Sequence, residues 1–129
     1  MIVSEGSAGF VAGSYPIDAY GSGGFKFAGM SHRGSILLLP TGVHSWSATS
    51  FAEIDAASLE PLLALPKGAV DLLLVGTGEN LTPLPAVLRT RLRDAGIRSD
   101  PMATGAAART FNILLGEGRR VAAALLAVS

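Results

Sequence analysis

Two periods of hydrophobicity divide the chain. Between residues 17 and 46 apolar side chains come in short runs or alternate with small and polar ones, which is strand spacing. Ile17–Tyr20 and Gly24–Ala28 flank Gly21-Ser22-Gly23, with Phe25 and Phe27 at alternate positions, and predict a hairpin or tight strand connection. Ser35–Leu39 is a strongly apolar strand ending at Pro40; Gly42 relieves the turn, and Val43–Trp46 reads as a further strand. From residue 54 the period changes. Ile54–Leu65 predicts a short helix, and because proline is tolerated only in a helix's first turn, Pro61 favours a start near Ser58. Ala69–Val75 is nearly continuously apolar, as suits a strand covered on both faces. Thr82 and Pro83 supply an N-cap and first helical position for a helix to about Ala95, closed by Gly96. Its apolar stripe is Leu84, Val87, Leu88, Leu92 and Ala95, while Arg89 and Arg93 share a more exposed face. Ile97–Met102 is the next strand, with Pro101 suited to an end or an edge. Thr104 caps a helix whose Ala107, Phe111, Leu114 and Leu115 face one side; Gly116 and Gly118 end it, and Arg119–Val128 is the last strand.

A β-rich first half followed by strand–helix–strand–helix–strand predicts an α/β or α+β fold with a mixed sheet. The length of 129 residues fits one domain, and at this size folding buries roughly two-thirds of the surface of the unfolded chain. A hydrophobic content of 49% and a mean hydropathy of +0.44 supply that core and exclude a disordered chain. Residues 1–15, rich in Gly, Ser and Ala, are expected to form a flexible N-terminal arm, and residues 16–129 a single α/β domain. Ten Lys and Arg balance ten Asp and Glu, so no net field favours nucleic acid or an anionic membrane. The absence of cysteine excludes disulfides, thiolate-bound metals and a thiol nucleophile. The longest apolar stretches, Ile36–Leu39, Leu72–Val75 and Val121–Val128, fall far short of the roughly 20 residues of a membrane span. With Met1–Gly6 lacking the pattern of a secretory signal, the expectation is a cytoplasmic protein without a transmembrane segment.

The best physical candidate for a site is Gly76-Thr77-Gly78. Glycines after an apolar strand permit a close backbone approach, and free amides near the Thr104-Gly105 helix start could receive an anion. Structural turns with ordinary caps explain the same residues. A dinucleotide fingerprint fails because Leu81 stands where the third glycine belongs, and no Walker motif is present. Gly29-Met30-Ser31-His32-Arg33 misses a nucleophile elbow at Arg33, and neighbouring Ser31 and His32 point to opposite faces of an extended chain. His32 and His44 with Asp18 or Asp71 lack metal-ligand spacing. Trp46 reads as packing or as a ligand contact. Arg89, Arg91, Arg93 and Arg98 make a local basic cluster, read as a solvated helix face or a small patch for an acidic partner. Asn112, with Thr110 nearby, either satisfies local backbone groups or lines a crevice.

Several stretches taken in order carry a family resemblance. They are Ile17-Asp18-Ala19-Tyr20, Gly24-Phe25-Lys26-Phe27, the strand ending at Pro40 with Val43 and Trp46, and Val75-Gly76-Thr77-Gly78. Ala108-Arg109-Thr110-Phe111-Asn112 follows, with Leu115, Glu117, Gly118 and Arg119. Over about residues 16–128 the chain resembles the small single-domain family of unknown function that includes mitochondrial complex I assembly factor 3 and the adipogenesis-associated domain protein. The resemblance implies a three-layer α/β domain with a central mixed sheet, flanking helices and an additional β layer, and brings no established reaction. One departure is Thr104-Gly105-Ala106, where relatives often have Thr-Pro-Asn. The sequence is therefore read as a non-enzymatic accessory domain with a protein partner, possible homo-oligomers, no nucleic acid and no cofactor or metal. Its role would lie in assembly of a respiratory-chain or membrane-associated complex. The alternative is a small-molecule or anion-binding protein or enzyme using Gly76, Thr77, Gly78, Thr104 and Asn112.

Overall fold

The computed structural model describes residues 10–129. Its first described element is a short strand, β1 (Phe10–Ala12). β2 (Ala19–Gly21), β3 (Gly24–Phe27) and β4 (Met30–Arg33) then form an antiparallel meander of their own. Both of its turns have two central residues with positive φ, Ser22 and Gly23 at 52° and 80°, Ala28 and Gly29 at 50° and 74°. That combination matches the twist of the flanking strands and closes each hairpin in two residues. β5 (Ile36–Leu39) and β6 (Gly42–Ser45) follow, then two 3₁₀ turns at Phe51–Glu53 and Ala57–Leu59 leading to α1 (Glu60–Leu63). The rest alternates: β7 (Leu72–Gly76), α2 (Ala86–Asp94), β8 (Arg98–Met102), α3 (Thr104–Gly116) and β9 (Val121–Leu125).

The large sheet has six strands in the order β1-β6-β5-β9-β7-β8. The last strand is inserted at the centre, antiparallel to β5 and parallel to β7, which makes the sheet mixed. Alternation sorts its residues to two faces. Ile36, Leu38, Leu74, Val121, Ala123 and Leu125 join Phe25, Phe27, Ala107 and Phe111 in a core beneath α3 and the small meander. Leu37, Leu39, Leu73, Val75, Ala122 and Ala124 join Leu62, Leu88 and Leu92 in a second core beneath α1 and α2. Alanines at positions 122–124 suit a strand buried on both faces, since short side chains leave room for the layers above and below. The result is the three-layer α/β architecture with an additional β layer.

Several boundaries differ from the sequence reading. The helix expected from Thr82 starts at Ala86, because Pro85 disfavours helical geometry at Leu84 and delays the first turn. Thr82 instead donates its N–H to the Thr77 hydroxyl. Val87 is 83% exposed, so the buried stripe is Leu84, Leu88 and Leu92. The expected Ile54–Leu65 helix resolves into the 3₁₀ turns and one short α-helix with Pro61 in its first turn. The terminal strand spans Val121–Leu125 rather than Arg119–Val128. Of the arm expected over residues 1–15, residues 1–9 lie outside the described residues, and Phe10–Ala12 pairs with β6 through Phe10↔His44, Val11↔Val43 and Ala12↔Gly42.

Candidate functional site

Gly76, Thr77, Gly78 and Thr104 meet where β7 ends and α3 begins. Strand β7 is apolar on both faces and runs into Gly76; a Cβ there would stand 2.9 Å from the Thr104 hydroxyl and 3.0 Å from its Cα, so glycine lets α3 close onto the strand end. Thr104 is 0% exposed and occupies the first helical position, after Ala103 as N-cap. Its hydroxyl donates to the Leu126 carbonyl at 2.8 Å and accepts the Gly78 N–H at 3.1 Å; its own N–H donates to the Gly78 carbonyl at 2.8 Å. Leu126 in turn donates its N–H to the Gly76 carbonyl at 3.0 Å. Thr77 is likewise buried: its N–H donates to the Met102 carbonyl, and its hydroxyl hydrogen lies between the Asn80 carbonyl at 2.7 Å and that of Met102 at 3.1 Å. The expected crevice is thus a cross-braced joint between β7, β8, α3 and the chain beyond β9. Both hydroxyls and the Thr77 and Gly78 amides face protein partners, so these atoms are not presented to a ligand.

Asn112 serves a different junction. It follows Thr104 by eight residues, about 12 Å along α3 at 1.5 Å per residue. Its Oδ1 accepts the Ile17 N–H at 2.8 Å and its Nδ2 donates to the Ile17 carbonyl at 2.7 Å, fastening the chain just before β2 onto the helix. A mid-helix asparagine with both ends of its amide satisfied by one distant residue is a clamp. Tyr20 adds a second fastening: its phenol lies over Gly105, where a Cβ would meet the ring, and accepts a hydrogen bond from Arg109 Nη1 at 3.1 Å. Glycine at 105, the departure from Thr-Pro-Asn, therefore makes room for Tyr20. Sequence reasoning missed the contribution of Tyr20, Arg109 and Gly105; the glycine directly after the helix-starting threonine was its one local signal.

The remaining candidates scatter. Ser31 and His32 lie on β4, a strand the sequence analysis does not predict, and project from opposite faces. His32 is buried, its Nε2–H donating to the Ser35 carbonyl at 2.9 Å, while Nδ1 has no hydrogen-bond partner among the described residues. His44 lies on β6 against the Phe10 ring, centroids 4.7 Å apart, and burial lowers its pKa below the usual histidine value. Asp71 pairs with Arg120 at 2.9 Å. Among the described residues no group of three His, Asp or Glu side chains converges as metal ligands would. Trp46 is core, its indole N–H donating to the Ser58 carbonyl. Two open depressions mark the surface: one of about 470 Å³ on the outer side of the meander, beside Lys26, Ser31 and Arg33, and one of about 580 Å³ between α2 and β8.

Fold and joint together define a three-layer α/β domain whose glycine–threonine corner is cross-braced by backbone and hydroxyl hydrogen bonds. The chain belongs to the family described as "Protein of unknown function (DUF498/DUF598)", which it matches over residues 17–126. An uncharacterised protein of Rhodobacter capsulatus is 44% identical over 89% of this chain and 86% of its own length. The bovine protein named NADH dehydrogenase [ubiquinone] 1 alpha subcomplex assembly factor 3 is 37% identical over 85% of this chain; the match spans 59% of the assembly factor's length. The crystal structure of a Bartonella henselae protein described as an outer membrane protein superposes with a TM-score of 0.86 at 47% identity, covering 92% of this chain and 98% of that one. Among the described residues no helix is long and apolar enough to cross a membrane.

Proposed function

We propose that this domain is a protein-binding accessory factor without a catalytic step of its own, acting in the cytoplasm during assembly of a respiratory-chain or other membrane-associated complex. The observation that carries the reading is the match to NADH dehydrogenase assembly factors along 85% of the chain. The internal pairing of Thr77, Thr104 and Asn112 supports it, because the polar groups best placed to contact a small molecule are spent on holding the layers together. A domain of this kind works through its outer surface, where shape and charge select a partner.

Affinity capture after chemical cross-linking in living cells, with the tagged chain at native expression, tests the proposal. Subunits or assembly intermediates of a membrane complex are expected on the bait. Recovery of no partner, together with specific turnover of a small molecule by the purified protein, would overturn it. Cell fractionation reads the location: recovery with the outer membrane, as the description of the Bartonella relative suggests, would contradict a cytoplasmic site of action.

A further inference from the structure

Charge on this chain is balanced in total but not in place. Residues 86–102, which carry α2 and β8, hold Arg89, Arg91, Arg93 and Arg98 against only Asp94 and Asp100, whereas Glu53, Asp55 and Glu60 cluster in a separate stretch. Arg89 and Arg93 are four residues apart on α2 and so stand about 6 Å apart on one row of the helix. With Arg98, Gly96, Ser99 and Asp100 they line the open groove of about 580 Å³. Among the described residues the one ion pair within 4.0 Å is Arg120–Asp71, so none of these three guanidinium groups is neutralised by a neighbouring carboxylate. Exposed arginines on a neutral protein are ordinary one at a time. Arg89 and Arg93 come from α2 and Arg98, in register with Leu72, from the opposite face of the sheet edge; against the single Asp100 they give the groove a net positive lining.

The groove also borders an edge of the large sheet, since among the described residues β8 pairs only with β7. The Arg98 N–H donates to Asp71 and the Met102 carbonyl accepts from Thr77, so by alternation residues 98, 100 and 102 turn their backbone groups toward β7 while Ser99 and Pro101 face outward. Pro101 has no N–H, which leaves Ser99 as the outward donor within the strand. An added strand would find too few partners for a ladder, so side chains rather than backbone select the occupant. Arginine forks match carboxylates in a bidentate geometry. The groove presents no aromatic side chain on which a base could stack.

We propose that the groove along α2 and the edge strand β8 is a docking surface for an acidic, extended segment of a partner protein, with Arg89 and Arg93 taking its carboxylates on the α2 side of the edge and Arg98 on the other side, beside Asp100. This rests on the protein-binding reading above and adds where the partner sits and what chemistry it offers. The test is fluorescence anisotropy of a labelled peptide alternating glutamate and serine, titrated with the full chain. Saturable binding that weakens as salt rises is expected. The Arg89→Glu/Arg93→Glu variant should bind at least about tenfold more weakly, while Lys26→Glu/Arg33→Glu on the meander should stay within about twofold. Circular dichroism checks that both variants fold. Equal binding by Arg89→Glu/Arg93→Glu, no saturable binding, or tighter binding of polyuridylate or phosphatidylglycerol vesicles would overturn the proposal. Cross-linked capture separates this failure from that of the functional reading: a partner retained by Arg89→Glu/Arg93→Glu removes the groove alone, whereas no partner on either protein removes the protein-binding role.

Discussion

Replacing Thr104 by valine keeps the shape of the side chain and deletes the hydroxyl at the centre of the joint. That oxygen serves two backbone groups, donating to Leu126 and accepting from Gly78, at a fully buried position. Each buried polar group left without its partner costs about 1–3 kcal/mol, so the two together cost roughly 2–6 kcal/mol. A domain of ordinary stability has about 5–15 kcal/mol to lose, which makes this a large fraction. In urea, with a denaturant slope of about 2 kcal/mol per molar, a loss of about 3 kcal/mol moves the unfolding midpoint down by about 1.5 M. Thr104→Ser is the control: it preserves the hydroxyl and removes one buried methyl, for about 1 kcal/mol. Equilibrium unfolding by tryptophan fluorescence reads both, because Trp46 is buried in the core. A Thr104→Val midpoint equal to that of Thr104→Ser would show that the hydroxyl does not brace the joint and would refute the reasoning.

Two further outcomes follow from the same geometry. Asn112→Ala should destabilise the domain by roughly 1–3 kcal/mol and speed amide exchange at Ile17, since the clamp on that residue is lost; unchanged protection at Ile17 would show that the amide holds nothing. For His44, burial lowers the folded pKa below the unfolded value near 6.5, so the folded state binds the proton less readily. Its contribution is therefore fully present above about pH 6.5 and is lost as pH falls through the lower, folded pKa. Unfolding midpoints at about pH 7.5 and about pH 5.5 should fall less in His44→Gln than in the parent protein, and equal falls would contradict the assignment.

The parts of the fold legible in the sequence were those where burial leaves a repeated mark. Ile36–Leu39 and Leu72–Val75 are apolar at every position because both faces of the large sheet are covered, and Pro101, which suits a strand end or an edge, lies on an edge strand. β4 escaped notice because Met30-Ser31-His32-Arg33 shows no apolar alternation: its one fully inward side chain is a histidine. The start of α2 was misplaced because two prolines compete for it, and Pro85 acts backwards on Leu84. Gly76, Thr77, Gly78 and Thr104 meet at one joint, and glycines after a buried strand and a threonine at a helix start both signal such close backbone approach. What the sequence could not show is that both hydroxyls already have backbone partners across the fold, because Leu126, the acceptor of Thr104, and Met102, the second acceptor of Thr77, lie 22 and 25 residues away in the chain. Asn112 was legible only as a polar interruption of a helix; its partner is 95 residues distant.

The proposed role in assembly is tested most directly by deleting the chromosomal gene and separating membrane complexes on native gels. The account predicts that a complete complex, the NADH-oxidising one first among them, gives way to smaller intermediates, and that the wild-type chain restores it. Complexes of unchanged size and abundance in the deletion strain, alongside accumulation of a small metabolite, would contradict it.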